Sequence, residues 1–388
     1  MAIDTIIYET DSESACLAAI DEGRLSEIEF VNRQQASEGS VYLGKIIQKL
    51  DLANDKVGYL VDIKDTKPAF INAWEFGLEE LKATEGQSLV VQVAQEQRAE
   101  KGAKLTRNLQ FAGANLVYCP YKMNVYVSSK IEDKAKAEEY RELVVEHTTG
   151  QEGWIVRTSA VMVAKDEIVK EMESLREEYE NVRKKARSES APAILREKGN
   201  PLWEMIARNK SSLKKVVTNS RLVMDEIKYF GYGFDVELDN NPSRTYGLED
   251  ALAEVMLPEV KLPSGGRLFI EETKAFVAID VDSAGDRAKG NISRLNEEAA
   301  KEIVRQIRLR NLSGKIIIDF AGATEYRYLS PVVEILEKSF RQDYIRTSVY
   351  GLSRAGNVEI IRARRRPSLR DVLSTECPTC HGTGRVEN

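Results

Sequence analysis

The chain has 388 residues, a net charge of −6, 42% hydrophobic and 30% charged residues. No apolar run approaches the roughly 20 residues of a membrane span. The opening MAIDTIIYETDSESAC lacks the basic start and apolar core of a secretory signal, so a cytoplasmic protein of two or three domains is expected. The mild negative charge argues against indiscriminate nucleic-acid binding without excluding local patches that bind RNA.

Residues 1–35 read as short strands around a turn. Residues 40–110 carry four apolar runs, VYLGKII, VGYLVDI, PAFINA and SLVVQVAQ. Short strands at such spacing suggest a small closed barrel of the OB type, with an unrelated sheet as the alternative. Ile168, Met172, Leu175, Tyr179 and Val182 are four, three, four and three apart, which predicts a packing helix over 164–187. Ser, Pro and Gly in 188–201 read as a linker, and 203–260 as mixed α and β.

The segment from 262 to 320 is the most informative. LPSGG is a turn, and RLFIEETKAFVAIDV (267–281) reads as two strands around a polar turn. A helix is expected over 293–311, with Ala299, Ala300, Ile303, Val304 and Ile307 on one face and Ser313-Gly314 as terminator. KIIIDF (315–320) is an apolar strand. Strand, helix, strand at this length fits a parallel crossover unit. Asp280 and Asp319 then lie near the C-terminal strand ends, where ligands of open α/β sheets gather. Alternation puts Asp282 on the face of Asp280. Convergent carboxylates make a hard oxygen site suited to Mg²⁺ or Mn²⁺, while isolated aspartates would merely cap strand ends.

Of four cysteines, Cys16 and Cys119 are scattered. Cys377 and Cys380 form a CxxC, half of the four-ligand set that structural zinc prefers. Arg354, Arg362, Arg364, Arg365 and Arg366 form a basic stretch that either presents a row of cations to phosphates or guards a solvated edge strand.

The runs LPSGGRLFIEETKAFVAID, NEEAAKEIVRQIRLRNLSGKIIIDF and CPTCHGTG resemble the ribonuclease E/G family. VYLGKI, EKGAKLT, FAGANLV, GWIVRT and SRAGNVEIIRARRRPSL extend the resemblance over nearly the whole chain. It implies an α+β multidomain fold. An RNase H-like subdomain (1–36 and 206–266) takes an inserted S1 barrel of the OB type (37–112). A 5′-sensor region with the long helix covers 113–205, a DNase I-like α/β catalytic subdomain 267–375, and a zinc link 376–388. By the same resemblance, a chain that stops just after the link is expected to lack the small dimerisation domain and the disordered scaffold tail of longer members.

The implied function is metal-dependent endonucleolytic cleavage of single-stranded RNA, stimulated by a 5′-monophosphate, in rRNA processing or mRNA decay. The alternative is a catalytically weakened RNA-binding protein on the same scaffold. By resemblance, Asp280 and Asp319 hold Mg²⁺ or Mn²⁺. Asp282 stands where the family usually has asparagine, as a third ligand or as a charge repelling the phosphate. The loop 283–293 looks short, and Ala321-Gly322-Ala323 replaces an acidic extension. Gly113, Val117, Arg157 and Thr158 match the 5′-phosphate pocket, where a guanidinium, a hydroxyl and close backbone N–H groups suit a terminal phosphate. Phe70 and Lys101 match RNA contacts of the barrel. Leu60 stands where an aromatic usually accompanies Phe70, with Tyr59 beside it. Cys377 and Cys380 imply a zinc ion shared by two chains of a homodimer, His381 being too close to Cys380 to serve as a further ligand.

Overall fold

The structure is a computed structural model that describes residues 3–98, 101–283, 289–322, 326–341, 343–380, 382 and 384. The chain divides into two compact units, Asn32–Arg208 and Met1–Val31 with Asn209–Asn388.

The first unit holds the barrel. Strands Val41–Asp51, Val57–Asp62, Ala69–Asn72, Lys104–Thr106 and Ser88–Gln95 pair in that order, and the last pairs back onto the first. Closure runs through Val41 opposite Gln92 and Leu43 opposite Val90. It removes the exposed edges that a sheet this small would otherwise present. The expected OB-type barrel is therefore present. Alternation turns Ile46, Tyr59, Val61, Ala69, Ile71, Val91, Val93 and Leu105 inward. The segment expected as a linker instead contains the strand Ala193–Arg196, which pairs antiparallel with Val41–Leu43. Its few apolar residues give no strand signal, and the pairing is imposed by the open side of the barrel strand.

A second sheet of this unit orders Val125–Val127, Gly153–Val156, Leu116–Cys119 and Phe111–Ala112. The helix Lys165–Ser188 packs there through Ile168, Met172, Leu175 and Val182, with Tyr179 half-buried. Asp166 and Glu167 in its first turn and Lys185 and Arg187 in its last complement the helix dipole.

In the other unit, one sheet joins the chain's beginning to residues past 209. Its order is Asp235–Leu238, Lys215–Thr218, Thr5–Thr10, Ser14–Asp21 and Arg24–Asn32. A six-stranded sheet orders Glu259–Lys261, Arg267–Glu272, Val277–Asp282, Gly314–Asp319, Val358–Arg362 and Thr347–Leu352. Among the described residues its one parallel pairing joins Val277–Asp282 to Gly314–Asp319, and the rest are antiparallel. The crossover between them is the helix Lys289–Leu309, which buries Ala299, Ala300, Ile303, Val304 and Ile307. Each buried isoleucine there is worth roughly 1.5–3 kcal/mol of apolar transfer.

That helix does not stop at Ser313-Gly314. Asn311 adopts φ 50°, Leu312 N–H donates to Ile307 O, and Asn311 N–H donates to Arg308 O. This is the Schellman closure, with an asparagine in the left-handed position that glycine usually fills. Leu312 and Ile307 then share one apolar cluster. Gly314, at φ 86°, turns the chain into the next strand.

Candidate active site

Asp280 and Asp319 are opposite residues in the parallel pairing of Val277–Asp282 with Gly314–Asp319. Val277, Ile279 and Val281 of one strand, and Ile316 and Ile318 of the other, face the helix-covered core. Strand alternation therefore turns Asp280, Asp282 and Asp319 to the exposed face. Opposite backbones in a sheet lie about 4.8 Å apart, so the two carboxylates share one patch of surface. The Asp280 carboxyl is pushed above its ordinary range by partial burial, then by the charges of Asp319 and Asp282. A divalent cation relieves that repulsion, so this hard oxygen pair suits Mg²⁺ or Mn²⁺. Among the described residues, no group of three or more His, Cys, Asp or Glu is gathered to hold a metal. The charge of Asp282 bears on this pair, because it raises the Asp280 carboxyl.

Asn296, on the crossover helix, is only 2% exposed and donates through Nδ2 to Ala321 O at 3.0 Å. It fixes the backbone two residues past Asp319. Sequence reasoning overlooked it, although an asparagine beside the apolar stripe of a helix is itself a signal. Residues 284–288 and 323–325, on which the readings of a short loop and of Ala323 partly rest, lie outside the described residues.

In the other unit, the segment Gly113–Leu116 is pinned from two sides. Glu171 of the long helix accepts from Asn115 N–H at 2.8 Å, Leu116 N–H at 2.9 Å and Asn115 Nδ2 at 2.8 Å. Arg157 donates through Nη1 to Gly113 O at 2.5 Å, and Ser159 Oγ donates to Ala114 O at 2.7 Å. A Cβ at Gly113 would lie 2.2 Å from Glu171 Oε1, so a larger residue there would push the Glu171 carboxylate away from the Asn115 and Leu116 N–H groups. Val117, half-buried, pairs with Ile155. Arg157 and Thr158 are not inside a strand. The strand ends at Val156, Arg157 caps the short 3-10 turn Thr158–Met162, and the Thr158 side chain is exposed. Gly113, Val117, Arg157 and Thr158 thus cluster, and among the described residues Gly113 O is the only hydrogen-bond partner of the guanidinium. Glu171, which orders the loop, was another residue that spacing alone did not reveal.

On the barrel, Phe70 lies between the buried Ala69 and Ile71 and is half-buried on the outer side. Its cross-strand neighbours are Leu60 and the exposed Lys104. Tyr59 cannot stand in for a missing outer aromatic, because its ring is inside and its hydroxyl donates to Leu81 O at 3.1 Å. Lys101 is exposed and bridges to Arg98.

The basic stretch requires a correction. Arg362 was expected to meet RNA, yet it is 1% exposed. Val358, Ile360 and Arg362 alternate inward, and the Arg362 guanidinium pairs with the buried Asp343 at 2.8 Å. It also donates to Asn311 Oδ1 and Leu312 O, each at 3.0 Å. Arg366 pairs with Glu29. Arg354 and Arg364 remain exposed, the latter with its guanidinium against Gly314.

Cys377 and Cys380 sit in one turn, and neither is in a disulfide. Backbone N–H groups of Cys380 and Thr379 point at the Cys377 sulfur and hold its thiol below the ordinary range. A turn that favours thiolate suits zinc. His381 lies outside the described residues.

A closed barrel joined to a mixed sheet with paired aspartates on its open face defines a multidomain α/β protein with a carboxylate site. The chain belongs to the Ribonuclease E/G family, whose sequence profile matches residues 110–365. It is 31% identical to Ribonuclease G of Haemophilus influenzae along its full length, covering 84% of that protein. Identity to Ribonuclease G of Escherichia coli (strain K12) is 30%, covering 85% of that protein. Ribonuclease E of Nostoc is 29% identical over 90% of this chain and 54% of its own length.

Proposed function

We propose that this chain is an endoribonuclease of RNA processing or decay that cleaves single-stranded RNA with the help of a divalent metal. The observation that carries the reading is the register of Asp280 opposite Asp319 on one exposed face. Two hard anionic oxygens there hold Mg²⁺ or Mn²⁺. The bound ion supplies Lewis acidity toward a phosphoryl oxygen. Asn296 keeps the backbone after Asp319 in place through Ala321 O. On the barrel, Phe70 stacks on a base while Lys101 and Lys104 meet phosphates. Exposed Arg354 and Arg364 add phosphate contacts on the other unit.

The cluster of Gly113, Val117, Arg157 and Thr158 reads as a 5′-monophosphate pocket. Its support is the guanidinium held by one hydrogen bond to Gly113 O beside an exposed hydroxyl. The family's division into RNase H-like (1–36, 206–266), S1 (37–112), sensor (113–205) and DNase I-like (267–375) parts, with a zinc link from 376, follows the same reading. So do a zinc ion shared between two copies of the chain through Cys377 and Cys380, and a cytoplasmic location. No described helix is long and apolar enough to cross a membrane.

A second reading, a catalytically weakened RNA-binding protein, is favoured by Asp282, whose charge adds to the repulsion at Asp280. One assay separates the two. Single-stranded, A/U-rich, 5′-monophosphorylated RNA is incubated with Mg²⁺ or Mn²⁺ and either wild type or Asp282→Asn. Cleavage by wild type, faster in the variant, supports the enzyme. Tight RNA binding with no cleavage by either protein supports the second reading.

A further inference from the structure

The barrel carries two exposed aromatic side chains that neither its core nor the Phe70 site uses. Trp74 is 66% exposed and Phe76 is 85% exposed. The other tryptophans differ, with Trp154 fully buried and Trp203 half-buried. A loop that leaves an indole in water forgoes apolar burial, so its order must come from elsewhere.

That order comes from a set of polar anchors. The loop closes on itself, because Leu81 N–H donates to Ala73 O at 2.7 Å. The Tyr59 hydroxyl, from inside the barrel, donates to Leu81 O. Between the two aromatics, Glu75 turns inward and accepts from Thr106 Oγ1, from Arg107 N–H at 2.9 Å and from Arg107 Nε at 3.2 Å. The same guanidinium donates to Ala73 O at 3.3 Å and Glu79 O at 2.7 Å, on either side of the turn. Asn108 Nδ2 donates to Phe76 O at 3.4 Å. Trp74 and Phe76 therefore flank an inward-facing anchor and are presented to solvent by a loop fixed at its ends and its middle.

We propose that Trp74 and Phe76 form a base-stacking platform for single-stranded RNA, in addition to Phe70; this rests on the RNA-binding reading of the barrel. Aromatic faces accept any base, and holding them rigid removes the ordering cost of binding. The charges around the loop set the direction of the strand. Glu79 and Glu80 are exposed beside the aromatics and repel phosphates. Lys104 is exposed in register with Phe70, and Lys101 precedes it. The phosphates accordingly run along the Lys101–Lys104 side, and the bases lie over Trp74 and Phe76. Stacking, unlike phosphate contact, releases few counterions. Loss of Trp74 lowers affinity without changing its salt dependence, whereas loss of Lys104 flattens that dependence.

The test is binding of the full chain to a single-stranded oligoadenylate of about 12 nucleotides, within the span of one such barrel. It is followed by tryptophan fluorescence and anisotropy without added Mg²⁺. The platform predicts quenching in wild type and roughly tenfold weaker binding for Trp74→Ala and for Phe76→Ala, about one stacked base each. Trp74→Phe should retain most of the affinity, and an abasic oligomer should not distinguish Trp74→Ala from wild type. If Trp74→Ala binds like wild type while Phe70→Ala or Lys104→Ala weakens, the platform is overturned and the RNA reading of the barrel stands. If wild type binds no RNA, both fall. Unchanged RNA affinity with an altered oligomeric mass in Trp74→Ala would assign the loop to a protein contact instead, and would equally overturn the platform.

Discussion

Arg362 and Asp343 form an ion pair 2.8 Å long whose side chains are 1% and 0% exposed. The pair fastens the end of the strand Val358–Arg362 to the segment before Thr347, and Arg362 further donates to the helix-closing turn at Asn311 and Leu312. Removing one partner leaves a buried charge uncompensated, which costs about 3–5 kcal/mol. Arg362→Ala should therefore lower unfolding stability in urea by that order. Arg354→Ala, at an exposed turn, should change stability by no more than about 0.5 kcal/mol and instead flatten the salt dependence of RNA binding. Equal stability loss in the two variants would reject the division of roles.

Glu152 gives a pH prediction. Burial pushes its carboxyl up, but the Arg176 guanidinium, Thr149 N–H and Trp154 indole outweigh burial and hold it below its ordinary value of 4.5. A carboxyl depressed in the folded state contributes stability that is fully present above the unfolded value. That contribution is lost as pH falls through the folded one. Wild type should lose stability on acidification below about pH 4.5, and Glu152→Gln, less stable at neutral pH, should lose less over the same window. Parallel acid limbs in denaturation curves of the two proteins would contradict this.

Arg157→Ala should abolish any preference for 5′-monophosphorylated over 5′-hydroxyl RNA and spare internal entry. The measurement is the ratio of initial cleavage rates on the two substrates. Because Arg157 Nη1 also holds Gly113 O, Arg157→Lys is a useful second variant. It keeps a charge but loses the planar fork, and it should recover only part of the preference. A ratio unchanged from wild type would remove the sensor assignment.

Cys377→Ser should reduce zinc content and dissociate dimers. Mass measurement with metal analysis of wild type is expected to show about one zinc per two chains, since tetrahedral zinc needs four ligands and each chain brings one pair. A stable zinc-free dimer, or one zinc on each isolated chain, would defeat the shared-metal account.

Much of this was legible in the sequence because alternation and helical period are local. The parity of Val277–Asp282 put Asp280 and Asp282 on one face, and the stripe from Ala299 to Ile307 identified the crossover helix. Arg362 was misread because its partner Asp343 lies 19 residues away, and a charge on the buried parity cannot be told from an exposed one without that partner. The strand Ala193–Arg196 was missed because it exists through pairing with Val41–Leu43, far away in sequence. Glu171 escaped notice for the same reason. Its carboxylate finds the Asn115 and Leu116 N–H groups only after the helix and sheet have packed.

The central claim is that Asp280 and Asp319 together hold the metal on which cleavage depends. Its most direct test measures RNA cleavage and RNA affinity side by side in wild type, Asp280→Asn and Asp319→Asn across a Mg²⁺ titration. The account predicts that each variant loses cleavage by roughly a thousandfold or more, about 4 kcal/mol of transition-state stabilisation, while its RNA affinity stays within about twofold of wild type. Cleavage by Asp280→Asn at the wild-type rate, with the same Mg²⁺ requirement, would contradict it.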